Sequence, residues 1–175
     1  MARVRAAICT TLRNAGPVLD SFVAYHLAIG FERLYLFFDD PSDPDLPRAS
    51  LHAAVTAIPN DARLREHWRS LPQYPEQSAF IDSEVMARQV LNTEFAMELA
   101  RPDGFNWLLH IDADELFYSP LQSAAEHFEQ VERQQLETVV YLNYEAIPER
   151  DEIGDFFREV DLFKVPPARA WTPSG

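Results

Sequence analysis

The feature that most constrains the fold is a pair of largely apolar runs that each end abruptly in aspartates. Residues 34–38 read LYLFF and lead into Asp39, and residues 106–111 read NWLLHI and lead into Asp112 and Asp114. An apolar run without alternation is typical of a parallel strand that is covered on both faces. Both runs therefore predict central strands that are followed by acidic loops.

Helical patterns lie between the predicted strands. We expect strands at residues 4–10, 34–38, 62–67, 106–111 and 138–147, and helices at residues 18–29, 76–100 and 120–135. Strands that alternate with helices predict an α/β fold with a Rossmann-like, doubly wound and mainly parallel sheet. A length of 175 residues suits a single domain.

Charge and composition exclude several classes of function. The formal net charge is −13 and Lys164 is the only lysine, so the basic surface that nucleic-acid binding needs is missing. The same charge repels a diphosphate, so a phosphate site here needs a local positive group or a metal. No apolar stretch is long enough to span a membrane and no signal peptide is recognisable, which favours a cytoplasmic location but leaves an anchor outside this sequence open. Cys9 is the only cysteine and we expect it to be buried.

The two acidic loops predict a metal site. Ligands of open α/β sheets bind beyond the carboxyl ends of the strands, where Asp39, Asp112 and Asp114 are expected. In an extended backbone residues i and i+2 point the same way, so Asp112 and Asp114 can converge on one cation. Carboxylate oxygens suit Mg²⁺ or Mn²⁺ that also binds substrate phosphates. The alternative is a polar turn in which Asp114 caps a short helix.

The long predicted helix carries an arginine on its apolar side. Its apolar stripe, with spacings of four and three, consists of Ile81, Val85, Arg88, Asn92, Phe95 and Leu99. An inward Arg88 suits a diphosphate or a loop carboxylate. The alternatives are a side chain that reaches the helix edge or a purely structural ion pair. We expect His26 and His110 to be hydrogen-bonded core residues rather than catalytic bases.

Several segments together resemble family-two-like glycosyltransferases of the GT-A type, particularly the branch close to family ninety-two. The resemblance spans roughly residues 5–118. Its most specific parts are AYHLAIGFERLYLF at residues 24–37 and LLHIDADELF at residues 108–117, accompanied by Arg13-Asn14 and by Arg88 with Asn92.

The resemblance implies a metal-dependent transfer of a sugar from a UDP- or GDP-sugar to a hydroxyl of a glycan, lipid or protein acceptor. It implies that Asp112 and Asp114 hold Mn²⁺ or Mg²⁺, and that the reaction inverts the anomeric carbon with a carboxylate base. Asp39 is implied to contact the nucleotide base. The residues that the resemblance assigns to the nucleotide are Thr11, Leu12, Asp39, Arg88 and Asp112.

The sequence departs from the family pattern at two places, and the first of them, together with the short C-terminal part, supports a different hypothesis. Ala15 follows Arg13-Asn14 where the family generally has an acidic residue, and residues 141–147 read YLNYEAI where the family usually has an aromatic acceptor segment. The alternative is a non-catalytic remnant of the fold that binds a nucleotide or a partner protein. We expect a nucleotide-binding part at about residues 1–118 and an incomplete acceptor-side part at about 119–175. Glu145, Glu149 and Asp151 are equal candidates for a base.

Overall fold

A computed structural model describes residues 3–164 of the chain. The strands are β1 (Ala6–Leu12), β2 (Arg33–Phe38), β3 (Val55–Pro59), β4 (Trp107–His110), β5 (Glu145–Ala146) and β6 (Phe163–Lys164). The helices are α1 (Val18–Ala28), α2 (Leu46–Ala49), α3 (Ala62–Trp68), α4 (Tyr74–Gln77), α5 (Val85–Ala100), α6 (Ala124–Arg133) and α7 (Phe156–Glu159). Strands and helices alternate over the first two thirds of the chain, as predicted.

The main sheet has four strands in the order β3-β2-β1-β4, and all three strand pairs are parallel. The predicted α/β fold with a Rossmann-like parallel sheet is confirmed at this level. The strand order reverses between β1 and β4, because β2 and β3 lie on one side of β1 and β4 on the other. In open α/β sheets a crevice for ligands forms at such a reversal, outside the carboxyl ends of the strands.

Apolar side chains cover both faces of the sheet. On one face Ile8 and Leu36 pack with α1 and α6, where Phe22 and Phe128 are buried. The other face is covered by α3 and α5, with Trp68 completely buried. Covering on both faces explains why the central strands are apolar without alternation.

The third predicted strand was placed wrongly. Residues 62–68 form helix α3, which begins where the Asp61 side chain accepts a hydrogen bond from the Leu64 amide at 2.9 Å. An aspartate in this position satisfies an amide of the first helical turn that has no partner within the helix. The strand lies earlier, at Val55–Pro59, and pairs with β2.

The long predicted helix is shorter than expected at its start. Helix α5 begins at Val85 rather than at residue 76, and turns occupy residues 78–83 between α4 and α5. The buried face also differs from the predicted stripe, because Val85 is 44% exposed and Gln89 is buried. Ala96 and Ala100 lie on the buried face, where small side chains let the helix approach the sheet.

The part that follows β4 is less regular than predicted. Helix α6 covers Ala124–Arg133 and starts at a capping box formed by Ser123 and Glu126. The strand expected at residues 138–147 is wrong. Only Glu145–Ala146 is extended with a partner, in an antiparallel pair with β6, and most of residues 138–147 are exposed. Because residues 138–147 have no buried face and do not pair with the main sheet, their apolar pattern does not produce a longer strand.

Among residues 3–164, none of the helices is both long and apolar enough to cross a membrane.

Candidate functional site

The carboxyl ends of β1, β2 and β4 meet at one edge of the sheet and bring the predicted residues together. Thr11 ends β1 with Leu12, Asp39 directly follows β2, and Asp112 follows β4 after one residue. Asp112 thus lies at the reversal of strand order, where the ligand crevice of such sheets forms. We call this set, together with Asp114, the strand-end site.

Asp39 forms a bidentate ion pair with Arg88 of α5. Arg88 Nε donates to Asp39 Oδ1 at 2.5 Å and Nη2 donates to Oδ2 at 2.8 Å. The two side chains are only 13% and 14% exposed. Arg88 therefore points inward and meets a loop carboxylate, as expected, and does not reach the helix edge; the same contact fits the alternative of a purely structural ion pair. Its predicted proximity to a nucleotide or diphosphate stays a prediction.

Nearly all donors of the Arg88 guanidinium are used inside the protein. Besides the two bonds to Asp39, Nη1 donates to the carbonyls of Ile81 at 2.6 Å and Glu84 at 3.2 Å. A guanidinium has five N–H donors, so only one is left. Ile81 lies in the turns before α5, and Glu84 directly precedes the first residue of the helix. Arg88 is thus fixed and in turn fixes the Asp39 carboxylate.

Asp112 is held by Gln89, a residue that the sequence analysis missed. Gln89 Nε2 donates to Asp112 Oδ1 at 2.9 Å, and Gln89 is only 8% exposed. The other oxygen, Oδ2, has no hydrogen-bond partner within residues 3–164. A signal was present in the sequence, since Gln89 shares a helical face with Asn92 and Ala96, at spacings of three and four.

Asn92 links α5 to the end of β1. Its Nδ2 donates to Thr11 Oγ1 at 2.9 Å, and its Oδ1 accepts from Trp68 Nε1 at 3.2 Å. Asn92, Thr11 and Trp68 are all buried, and these hydrogen bonds satisfy their polar groups, so the link is structural. Leu12 is 4% exposed and packs in the core, while its carbonyl accepts the Asp39 amide at 2.9 Å. The roles of Thr11 and Leu12 in a base pocket stay predictions.

The segment after β4 forms a turn rather than an extended strand. The Glu115 amide donates to the Asp112 carbonyl at 3.1 Å, and Asp112 and Asp114 are both exposed. The premise that both carboxylates project from an extended backbone was therefore wrong. The polar turn of the alternative is present, but Asp114 caps no helix, because the next helix of the described residues starts at Ala124. Glu115 accepts hydrogen bonds from the Asp112 amide and from Asn143 Nδ2, which brings the segment after α6 to the strand-end site.

Within the described part of the chain, no group of three or more His, Cys, Asp or Glu side chains forms a ready metal site. Two carboxylates on one short turn are a smaller ligand set. Mg²⁺ is commonly bound by one or two carboxylates together with substrate phosphates and water. The assignment of Mn²⁺ or Mg²⁺ to Asp112 and Asp114 stays a prediction.

The acidic loop after β2 shapes the loop after β1. Asp43 accepts from the Asn14 amide at 2.7 Å, and Asp45 accepts from the Gly16 amide at 2.6 Å. Asn14 and Gly16 have positive φ angles of 51° and 60°, so the carboxylates stabilise a turn that the backbone alone does not favour. Asp43 and Asp45 are 3% and 9% exposed, which identifies them as structural residues.

The two histidines have different environments. His26 is fully buried, its Nδ1 contacts the Phe22 carbonyl at 2.8 Å, and its Nε2 accepts from the Phe117 amide at 3.2 Å. The prediction of a hydrogen-bonded core histidine is confirmed, and burial lowers its pKa to about 4. For His110 the same prediction is wrong, because this residue is exposed at the end of β4, an edge strand of the main sheet.

The three candidate bases lie away from the buried part of the site. Glu145 belongs to the short β5–β6 pair, and Glu149 and Asp151 follow it; all three are exposed. Within residues 3–164 none of them forms a hydrogen bond or ion pair with Asp39 or Asp112, and the structure gives no reason to choose among them as a base.

Two curated proteins are similar to this chain over most of its length. No family model and no solved structure matches the chain. The protein "Glycosyltransferase-like At2g41451" of Arabidopsis thaliana is 29% identical over 174 residues, which cover 92% of this chain and 38% of the relative. "Glycosyltransferase-like At3g57200" from the same plant is 26% identical over 177 residues, covering 92% of this chain and 34% of that protein. The chain thus spans little more than a third of the length of these relatives.

Proposed function

We propose that the strand-end site binds the nucleotide diphosphate of a sugar donor and that the chain is the donor-binding part of a metal-dependent glycosyltransferase. The observation that carries the proposal is the position of two separately held carboxylates, Asp39 and Asp112, at the edge of the sheet where the strand order reverses. The similarity to two proteins named glycosyltransferase-like supports the same class of reaction.

Asp39 is the residue that we assign to the nucleotide base. Each of its oxygens accepts one hydrogen bond from Arg88 and keeps a further lone pair. The carboxylate can therefore accept an N–H of uracil or guanine while Arg88 neutralises its charge, which suits an uncharged base. This assignment agrees with UDP- or GDP-sugars as donors.

Asp112 and Asp114 are the residues that we assign to the cation. Their oxygens are hard ligands of the kind that Mg²⁺ and Mn²⁺ take, and both side chains are exposed at the sheet edge, so the donor set fits the ion. When bound, the ion supplies Lewis-acid stabilisation of the charge on the leaving diphosphate. At a net charge of −13, diphosphate binding needs a local positive group, and such an ion supplies one.

The protein residues around the strand-end site bind and orient. Arg88 fixes Asp39, Gln89 fixes Asp112, and Asn143 contacts Glu115 in the turn that carries Asp114. A base on the acceptor hydroxyl would complete an inverting transfer. We further propose that the fold is of the GT-A type and close to the family ninety-two branch, as the motifs at residues 24–37 and 108–117 indicate.

A second candidate is a non-catalytic domain of the same fold that binds a nucleotide or a partner protein. It is favoured by Ala15, which stands where the family pattern has an acidic residue, and by the exposed positions of Glu145, Glu149 and Asp151. The enzyme must bind a nucleotide, whereas the second candidate binds either a nucleotide or a partner protein. They differ in turnover, since only the enzyme consumes a sugar nucleotide.

A thermal-shift panel tests the proposal. UDP, GDP and their common sugars are each added with Mn²⁺, Mg²⁺ or chelator to the wild type and to Asp114→Ala. Because a ligand that binds only the native state raises the unfolding midpoint, we expect a metal-dependent shift for one nucleotide that Asp114→Ala loses. Equal midpoints with Mn²⁺ and with chelator for every ligand would refute the proposal. Sustained turnover of a sugar nucleotide would eliminate the second candidate.

A further inference from the structure

We propose that Gln89 is a positioning residue for Asp112 and that it determines how tightly the strand-end site holds a divalent cation together with a diphosphate. The inference rests on the proposed function and extends it to a residue outside the motif that carries the carboxylates. Gln89 touches neither the proposed nucleotide nor the cation in this assignment; it acts through Asp112.

The contact is made from a rigid element to an exposed turn. Gln89 lies on the buried face of α5 and is 8% exposed, whereas Asp112 is exposed in the segment that follows β4. The bond from Gln89 Nε2 to Asp112 Oδ1 measures 2.9 Å and joins residues that are 23 positions apart. A carboxylate on a turn samples several rotamers in water, so this bond selects one of them.

Consecutive residues of one helix hold the two carboxylates of the site. Arg88 binds Asp39 after β2, and Gln89 binds Asp112 after β4, on opposite sides of β1. A rotation or shift of α5 would move both contacts together. Helix α5 therefore fixes the spacing between the carboxylate assigned to the base and the carboxylate assigned to the cation.

The two partners differ in charge, and the difference matches the two assignments. The Arg88 guanidinium neutralises Asp39, which suits contact with an uncharged base. The Gln89 amide donates a hydrogen bond without adding charge, so Asp112 keeps its full negative charge for a cation. The Gln89 amide contacts only Oδ1 of Asp112, and Oδ2 of Asp112 has no hydrogen-bond partner within residues 3–164. Residues that orient a metal-binding carboxylate in this way commonly change metal affinity 10–100-fold when they are replaced.

The test is calorimetric titration of UDP and GDP, each with Mn²⁺ and with chelator, into the wild type, Gln89→Met and Gln130→Met. Methionine matches the length of glutamine and keeps helix propensity but has no N–H donor. Gln130 is an exposed residue of α6, so the same replacement there is the control. We expect Gln89→Met to weaken Mn²⁺-dependent nucleotide binding about tenfold, as expected for such a partner, and Gln130→Met to leave it unchanged.

Two further measurements separate positioning from general structural damage. Binding of uridine or guanosine, which have no diphosphate, is expected to be the same in Gln89→Met and the wild type. The unfolding midpoint without ligand is expected to change little, because Asp112 is exposed and gains water when its partner is lost. If Gln89→Met does not fold, Gln89→Asn is used in its place. The asparagine side chain is one methylene shorter, so its amide does not reach Asp112, and the same tenfold loss of Mn²⁺-dependent nucleotide affinity is expected.

The outcomes distinguish this inference from the proposed function. Mn²⁺-dependent binding that is equal in the wild type, Gln89→Met and Gln89→Asn would overturn the inference while the proposed function stands. A wild type that binds no nucleotide in a Mn²⁺-dependent manner would overturn both. Equal losses for nucleoside and nucleotide would also overturn it, because they would show damage to the site as a whole.

Discussion

Replacing one partner of the Arg88–Asp39 pair should lower the free energy of unfolding strongly. Replacing both partners should lower it by less than the sum of the two single losses. Each single replacement leaves a charge that is almost buried, since the side chains are 13% and 14% exposed. Breaking a fully buried pair typically costs 3–5 kcal/mol. Arg88 keeps two carbonyl partners after loss of Asp39, and both groups retain slight contact with water, so we expect about 3 kcal/mol for each single variant.

A double-mutant cycle measures the interaction itself. Urea unfolding of the wild type, Asp39→Ala, Arg88→Met and the double variant gives four free energies of unfolding, and their combination gives the coupling energy. We expect a coupling of about 2 kcal/mol, because two short bonds form in a nearly dry environment. In a domain of this size each kcal/mol lowers the midpoint of thermal unfolding by about 2–4 °C, so the singles are also expected to lose several degrees.

The control is an ion pair of the same chemistry on the surface. Arg69 and Glu66 lie 2.9 Å apart on α3 and its end, with side chains 65% and 71% exposed. Exposed pairs at this spacing contribute about 0.3–0.5 kcal/mol. A coupling at Arg88–Asp39 no larger than that of Arg69–Glu66 would refute the reasoning that burial makes this pair a fixed part of the site.

Three other predictions concern stability and reactivity. Burial lowers the pKa of His26 to about 4 in the folded protein, whereas a histidine of the unfolded chain keeps the ordinary pKa of 6.5. Protonation therefore favours the unfolded state, and the free energy of unfolding should fall by up to about 3 kcal/mol from pH 7 to pH 4. Urea unfolding at each pH should show a smaller fall for His26→Gln than for the wild type. Burial raises the pKa of Cys9 to about 12, so a thiol reagent should label it only in denaturant, and rapid labelling of the native protein would contradict its burial. Gly16→Ala should lower the free energy of unfolding in urea by about 1 kcal/mol, because φ is +60° at this position and a side chain disfavours that angle. The new methyl group meets no clash, so the backbone angle alone sets the loss. An unchanged free energy of unfolding would show that the turn is not strained.

Strands β2 and β4 were predictable because their mostly apolar runs are clear in the sequence, although β4 is an edge strand and not the central strand that was expected. The runs at residues 34–38 and 106–111 became β2 and β4 with shifts of one residue, and the acidic residues after them lie at the strand ends. The run at residues 138–147 has a similar composition but stays largely exposed and irregular. A local sequence shows whether a segment is apolar. A strand also needs a neighbouring strand to pair with and a face that packs against the core, and neither can be seen in the local sequence.

The candidate site was predictable in its carboxylates but not in the side chains that hold them. Asp39 and Asp112 follow apolar runs directly, so their positions at the sheet edge follow from topology. Gln89 was missed because its face of α5 is marked by alanines, which a search for large apolar residues passes over. The contacts of Asp43 and Asp45 with the loop after β1 bridge 29 residues, a distance at which local sequence patterns carry no information.

The most direct test of the account is a crystal structure of the protein with Mn²⁺ and the nucleotide that the binding panel selects. We predict the base beside Asp39, the diphosphate at the reversal of strand order between β1 and β4, and Mn²⁺ between the diphosphate and the carboxylates of Asp112 and Asp114. A nucleotide bound at another surface, or a cation held without Asp112 and Asp114, would contradict the assignment of this sheet edge as a sugar-donor site.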